Sequence, residues 1–224
     1  MTDVPRGRAV GWGCLVVALA ALGYVGRLLG GAPDRDVLYR YSTAVGGAVQ
    51  FGVITGVLLV LARELDLADV LALRLPRSRW RALGQSAVAL ISIWVVGLAL
   101  SPFLNAGKDQ GLVPKHWEPS HAGAFAANFV VIAIVAPLIE ESVFRGFGMS
   151  ALEPLFGRSI AVGATALAWG LAHGLVAGLP VLIAFGVILG VLRLRTGSVL
   201  PGMVTHAAFN SVTLILAVSG LVKS

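Results

Sequence analysis

Charged residues and cysteine are both scarce in this sequence. Only 12% of the 224 residues are lysine, arginine, aspartate or glutamate, whereas 57% are hydrophobic. A soluble domain of this length does not need so much apolar sequence, so the composition excludes that class and indicates an integral membrane protein. Because Cys14 is the single cysteine, an intrachain disulfide is impossible. The basic residues form no stripe interleaved with aromatic residues, so we expect membrane lipids, and not nucleic acid, as their partner.

The alternation of polar and apolar residues that is typical of a β-strand is also absent, and long apolar runs take its place. A helix needs about 20 apolar residues to cross a bilayer. The runs predict an all-α, polytopic transmembrane helical bundle of about seven spans, at about residues 9–29, 42–62, 84–104, 122–148, 159–175, 178–195 and 199–222.

The connections between these spans predict how the protein lies in the membrane. Residues 63–84 are rich in arginine, and we expect this segment at the interface with its arginines against lipid headgroups. The loop 105–121 is polar and should face solvent, with His116 and His121 as solvated side chains. More basic residues lie on the side of the membrane that holds the N-terminus than on the opposite side. This bias favours a multi-pass protein of the cell membrane with a cytoplasmic N-terminus.

The fourth span ends in an unusual group of charges. The eleven apolar residues Phe129–Ile139 run directly into Glu140 and Glu141, and Arg145 follows. A charged side chain in the middle of a membrane helix costs at least ~2.5–3.5 kcal/mol, so such residues usually mark function. Glu141 and Arg145 are four residues apart and can pair on one helix face, whereas Glu140 points about 100° away. Pro137 should kink the helix just before these charges.

The fifth span carries His173, and its position predicts a neighbour. If the fourth and fifth spans form an antiparallel hairpin that turns near residues 156–157, Glu140 and His173 are equally far from the turn. Equal distance from the turn means equal depth, so the two side chains should face each other. Trp169, one helical turn before His173, should form a wall of the same pocket.

The last span adds His206 and Asn210, which share one helix face. A single polar residue in a membrane helix is often only an interhelical contact worth about 1 kcal/mol. Six such costly groups on three helices exceed what packing needs, so together they indicate an active or binding site.

Three chemistries fit this set of residues. In the first, Glu140 acts as a general base with His173 and activates water, while His206 and Asn210 donate hydrogen bonds to the oxyanion of a tetrahedral intermediate. In the second, Glu140, His173 and His206 bind zinc, although no H-E-x-x-H helix is present. In the third, the set relays protons in a transporter, and the absence of a detectable inverted repeat counts against it.

Three motifs of this sequence resemble those of the CPBP family, the CAAX protease and bacteriocin-processing (or Abi) intramembrane proteases. EESVFR, WGLAH and HAAFN are similar in type, order and spacing to that family's EExxxR, FxxxH and HxxxN/B. The resemblance covers residues from about 122 to 215. Trp169 stands where the family usually has phenylalanine, which preserves an aromatic wall.

The resemblance implies an intramembrane endopeptidase that acts on a membrane-associated peptide or a lipidated protein. It implies Glu140 as the base, His173 as its partner, and His206 with Asn210 at the oxyanion. Residues 122–224 would then form the catalytic core of one membrane domain, and residues 1–121 its N-terminal helices and basic segment. Glu141, Arg145 and Trp169 would support the site.

Two alternatives stay open beside this interpretation. Members of the family were long labelled metalloendopeptidases, and a metal-independent glutamate mechanism is the competing view. We favour the metal-independent mechanism without a cofactor, because an asparagine and an arginine-paired glutamate suit it better than they suit a closed zinc site. Zinc dependence is the alternative. A noncatalytic membrane immunity or scaffold protein could use the same cavity to bind a peptide.

Overall fold

The computed structural model of the chain describes residues 4–30, 36–104 and 117–219. In these residues every regular element is a helix, so the predicted all-α class is confirmed. The helices are α1 (Arg6–Gly30), α2 (Tyr41–Leu61), the short α3 (Leu67–Val70), α4 (Arg79–Leu104), α5 (Pro119–Phe156), α6 (Arg158–Ala172), α7 (Leu179–Thr196) and α8 (Leu200–Val218). A 3₁₀ turn, Val37–Tyr39, precedes α2. Most of the predicted loop 105–121, including His116, lies outside the described residues.

Six helices of the described part are long and apolar enough to cross a membrane, namely α1, α2, α4, α5, α7 and α8. The predicted span at 159–175 needs correction, because α6 has only 15 residues. At 1.5 Å per residue it extends ~22 Å, less than the ~30 Å of a bilayer core. Gly174 ends it in the left-handed conformation, with φ +64°, and packs against Gly23, about two turns before the end of α1. The turn after α6 therefore lies inside the bundle.

The long helix α5 contains two π-helical stretches, Val131–Val135 and Ser142–Gly148. They flank the short α-helical stretch Ala136–Glu141, which carries both glutamates. A π-helical stretch adds a residue to the turn and changes which faces the following side chains occupy, and it often occurs at functional sites.

Pro137 explains the first π-helical stretch. The Ala136 N–H bonds to the carbonyl of Val131, five residues earlier. The Ile132 carbonyl would next accept from position 137, but proline has no N–H. The Nδ2 atom of Asn210 in α8 donates to the Ile132 carbonyl instead, at 2.9 Å. The wider helical turn and the contact from another helix therefore satisfy the carbonyl that Pro137 cannot bond.

The segment between α2 and α4 both lies at the surface and packs into the bundle. Its arginines at positions 74, 77, 79 and 81 are exposed, as is Trp80. Val70, Leu71 and Ala72 are buried, and the Ala72 carbonyl accepts a hydrogen bond of 3.1 Å from the N–H of Val199. The interfacial segment thus also closes one end of the helix bundle beside the start of α8.

Candidate active site

Glu140 of α5 faces the C-terminal end of α6. The indole Nε1–H of Trp169 donates a hydrogen bond of 2.6 Å to Glu140 Oε2, and Nε2 of His173 lies 4.0 Å from the same oxygen. The side chains of Glu140 and His173 are 17% and 29% exposed, so a small molecule can reach both. The two residues lie together at one depth, as their equal distances from the turn at Gly157 predict.

The backbone fixes the position of one ring proton of His173. Its Nδ1 atom lies 2.7 Å from the carbonyl oxygen of Trp169, and a carbonyl can only accept, so Nδ1 carries a proton. In the neutral imidazole Nε2 is then an acceptor. Two acceptors, His173 Nε2 and Glu140 Oε2, therefore face one space, and a water molecule there can donate one hydrogen bond to each.

Glu141 points to a different side of α5 and is completely buried. Arg145 Nη1 donates a hydrogen bond of 2.9 Å to Glu141 Oε1, so the predicted ion pair is present. His206 Nδ1 lies 3.2 Å from the same oxygen, a contact that the sequence analysis did not predict. A β-carbon at Gly202 would lie 3.0 Å from Glu141 Oε2, so the glycine leaves room for this carboxylate at the start of α8.

Trp169 connects the two groups of polar residues. Its ring centroid lies 4.6 Å from that of His173 and 5.5 Å from that of His206, and the guanidinium carbon of Arg145 is 4.8 Å from it. The tryptophan therefore provides the aromatic wall that was predicted, and it also provides a hydrogen-bond donor for Glu140. A phenylalanine would supply the ring without the donor.

Asn210 lies one turn beyond His206 on α8 and reaches α5 at a different point. One of its amide N–H groups donates to the Ile132 carbonyl at 2.9 Å. The amide nitrogen has two N–H groups, so the second stays available for another acceptor. The contact ties α8 to the turn of α5 that leads to Glu140.

Helix α1 holds the turn that carries His173, and the sequence analysis did not predict this. A β-carbon at Gly174 would lie 2.6 Å from the carbonyl carbon of Gly23, so only glycine allows this approach. The hydroxyl of Tyr24 also donates to the Leu175 carbonyl, at 3.3 Å. Glycines and a tyrosine in an apolar run give no signal of a long-range contact, so only the tertiary structure reveals this support.

Helix α1 also contacts the second π-helical stretch of α5. The indole Nε1–H of Trp12 donates to the Val143 carbonyl at 3.0 Å, and a β-carbon at Gly148 would lie 2.7 Å from the Trp12 ring. Carbonyls in both π-helical stretches, those of Ile132 and Val143, thus receive a side-chain donor from another helix. Such donors satisfy backbone groups that water cannot reach in a membrane.

The three residues of the zinc alternative, Glu140, His173 and His206, do not all face one another in this structure. Within residues 4–30, 36–104 and 117–219, no three His, Cys, Asp or Glu side chains come together as ligands for one metal ion. His206 faces Glu141, whereas Glu140 faces Trp169 and His173. A three-ligand zinc site needs all three side chains about 2 Å from one point, so zinc binding by this set would require His206 to turn from Glu141 towards Glu140.

The described residues define a multi-pass helical membrane protein with a Glu/His pair beside a buried Glu/Arg/His group. Residues 122–212, from α5 to α8, match the family model for the type II CAAX prenyl endopeptidases described as Rce1-like. All seven predicted site residues lie within the matched region, so the resemblance to the CPBP proteases is confirmed there. No curated protein and no solved structure matches the chain.

Proposed function

We propose that this protein is an intramembrane endopeptidase that hydrolyses a peptide bond of a membrane-associated or lipidated substrate. The observation that carries the proposal is the pair formed by Glu140 and His173, with Oε2 and Nε2 4.0 Å apart. Both side chains are partly exposed, whereas Glu141 and Arg145 beside them are fully buried. Two acceptors around one accessible space suit the activation of a water molecule.

The reaction begins with that water. Glu140 takes one of its protons while the oxygen attacks the carbonyl carbon of the substrate, and His173 Nε2 accepts a hydrogen bond from the other proton. The carbonyl becomes a tetrahedral oxyanion. Glu140 then gives its proton to the nitrogen of the leaving amine, the C–N bond breaks, and a carboxylic acid and an amine result. No metal ion takes part in these steps.

The oxyanion needs hydrogen-bond donors, and His206 and Asn210 are proposed to supply them. His206 Nδ1 lies 3.2 Å from the carboxylate of Glu141, and Nε2 donates to the oxyanion when both ring nitrogens carry a proton. Asn210 uses one N–H for the Ile132 carbonyl and keeps the second. Loss of one oxyanion donor typically lowers kcat by about 10²–10³.

The family match favours a substrate whose cleaved bond is close to the membrane. A prenylated C-terminal peptide is the first candidate, since the matched model describes CAAX prenyl endopeptidases. We further propose the cell membrane as the location and a cytoplasmic N-terminus, because Arg6 and Arg8 at the start of α1 and the arginines of the segment before α4 then lie on the inner side.

Cleavage of two peptides by the purified protein in liposomes tests the function. A farnesylated CAAX peptide and a non-prenylated transmembrane peptide are incubated with wild type, with Glu140→Gln and with Glu64→Gln, and the products are mapped by mass spectrometry. We expect Glu140→Gln to lose activity by about 10²–10⁴-fold. The exposed Glu64 serves as the control, and its variant should match wild type.

Equal cleavage by wild type and Glu140→Gln would disprove the assigned base. A noncatalytic immunity or scaffold protein predicts full biological function in both Glu140→Gln and His173→Ala, with no cleavage by any variant. Metal dependence is tested by cleavage after treatment with a chelator, together with metal analysis of the purified protein. Activity that disappears with the chelator and returns with zinc would overturn the metal-free mechanism.

A further inference from the structure

A polar cavity lies at the C-terminal end of α5, away from the candidate active site. It occupies about 150 Å³, enough for several water molecules at about 30 Å³ each. Glu153 on its wall follows Glu140 by 13 residues in α5, which is ~20 Å along a helix. Its charged and hydroxyl lining residues are Asp69, Arg74, Ser150, Glu153, Arg158 and Arg193.

The two carboxylates on the cavity wall already have arginine partners. Arg74 Nη1 donates to Asp69 Oδ1 at 2.9 Å, and Arg158 Nε donates to Glu153 Oε1 at 2.9 Å. Arg74 also donates from Nε to the Gly197 carbonyl at 2.9 Å. These pairs are internally neutral, so with Arg193 the wall carries one excess positive charge.

Arg193 differs from Arg74 and Arg158 in having no directly bonded carboxylate among the described residues. It is only 9% exposed, and its guanidinium makes no hydrogen bond or ion pair with any residue in the described part of the chain. Its Nε atom is buried without an acceptor. Glu153 and Asp69 attract it through space, but a buried guanidinium without a directly bonded anion is costly. Arg195, two residues later in the same last turn of α7, is by contrast exposed to solvent.

We propose that this cavity binds the phosphate group of a ligand, with Arg193 as its principal contact. The planar guanidinium matches two phosphate oxygens, and the hydroxyl of Ser150 adds a donor on the same wall. The cavity lies where α5 ends, α6 begins and α7 ends. Leu75 and Phe156, next to lining segments, are 67% and 55% exposed. Such apolar side chains suit the acyl chains of an anionic phospholipid, while soluble phosphate offers the same headgroup chemistry.

Native mass spectrometry of the purified chain tests the site. The protein is measured in detergent micelles that contain either phosphatidylglycerol or phosphatidylcholine, and in parallel its thermal unfolding is followed with inorganic phosphate against chloride at equal ionic strength. The variants are Arg193→Gln, Arg193→Lys and, as the matched control, Arg195→Gln. A hydrogen bond to a charged group corresponds to about a ten-fold or larger change in affinity.

We expect wild type and Arg195→Gln to bind phosphatidylglycerol in preference to phosphatidylcholine. In Arg193→Gln the affinity for phosphatidylglycerol should fall about ten-fold, which removes the preference. Arg193→Lys should keep part of it. Stabilisation by inorganic phosphate that depends on Arg193 would support the site and identify soluble phosphate as a ligand. An equal loss in Arg193→Gln and Arg195→Gln would overturn the proposal. If Arg193→Gln does not fold, wild type still decides: no preference for phosphatidylglycerol and no response to phosphate would refute the site.

Discussion

Replacing Glu141 by glutamine should destabilise the protein far more than the same change at its neighbour Glu140. Glutamine has nearly the same shape as glutamate, so the change removes a charge without leaving a cavity. Glu141 is fully buried and pairs with Arg145, which is also fully buried, and with His206. Glu140 is 17% exposed and accepts a hydrogen bond from Trp169.

The magnitudes follow from these contacts. Removing one partner of a buried ion pair typically costs about 3–5 kcal/mol, because the other charge stays buried without an anion. The contact of Arg145 with the Trp169 ring is unchanged and does not replace the lost carboxylate. At Glu140 a charge-assisted hydrogen bond becomes a neutral one, a difference of about 1 kcal/mol. At about 2–4 °C per kcal/mol, Glu141→Gln should lower the melting midpoint by about 6–20 °C and Glu140→Gln by about 2–4 °C.

Thermal unfolding of the two variants in one detergent, followed by circular dichroism, measures this difference. The double variant Glu141→Leu/Arg145→Met serves as the control, because replacing a whole buried pair by apolar residues is often neutral. It should therefore melt closer to wild type than Glu141→Gln does. The reasoning is refuted if Glu141→Gln melts within 2 °C of wild type, by the same ~2–4 °C scale, or if Glu140→Gln melts lower.

Three further substitutions test the support of the site. Trp169→Phe keeps the ring and loses the donor to Glu140, so cleavage in the peptide assay should fall about ten-fold, the equivalent of a hydrogen bond to a charged group. Asn210→Ala leaves a carbonyl of α5 without its donor and should cost about 1–3 kcal/mol in unfolding free energy. Gly174→Ala, at φ +64° and against α1, should cost at least about 1 kcal/mol and reduce cleavage, whereas Gly163→Ala, which meets open space, should preserve both.

Each of these expectations has a result that contradicts it. Unchanged cleavage by Trp169→Phe would mean that the indole N–H does not position the carboxylate. If Asn210→Ala loses cleavage but melts like wild type, the residue acts on the substrate and its contact with α5 adds no stability. Equal melting and cleavage for Gly174→Ala and Gly163→Ala would show that the close approach of α1 does not hold His173.

The spacing of the polar residues predicts a large part of the site. Residues four apart on a helix are neighbours, so their spacing is enough to predict that Glu141 and Arg145 pair. A tight turn at Gly157 and a rise of 1.5 Å per residue bring Glu140 and His173 to one depth. Such spacing cannot predict how one helix is rotated about its own axis relative to another helix. The contact between His206 and Glu141 depends on that rotation.

The N-terminal half is harder to predict from its sequence. Trp12, Gly23 and Tyr24 lie in an apolar run that is typical of any membrane helix, yet in the structure they contact Val143, Gly174 and Leu175. Their partners are more than 100 residues away in the sequence, and a small or aromatic residue in such a run does not indicate its partner. The support that α1 gives to the site therefore has no local signal.

The sequence by itself determined the membrane class, the helical elements and the three motifs, because hydropathy and helical periodicity are local properties. Tertiary structure alone decided which group each polar residue joins: Glu140 with Trp169 and His173, and Glu141 with Arg145 and His206. It also decided that α6 ends inside the bundle and that Arg193 faces a cavity. The physical reason is that backbone carbonyls and buried charges in a membrane must find partners within the protein, and which partners they find depends on how the helices pack.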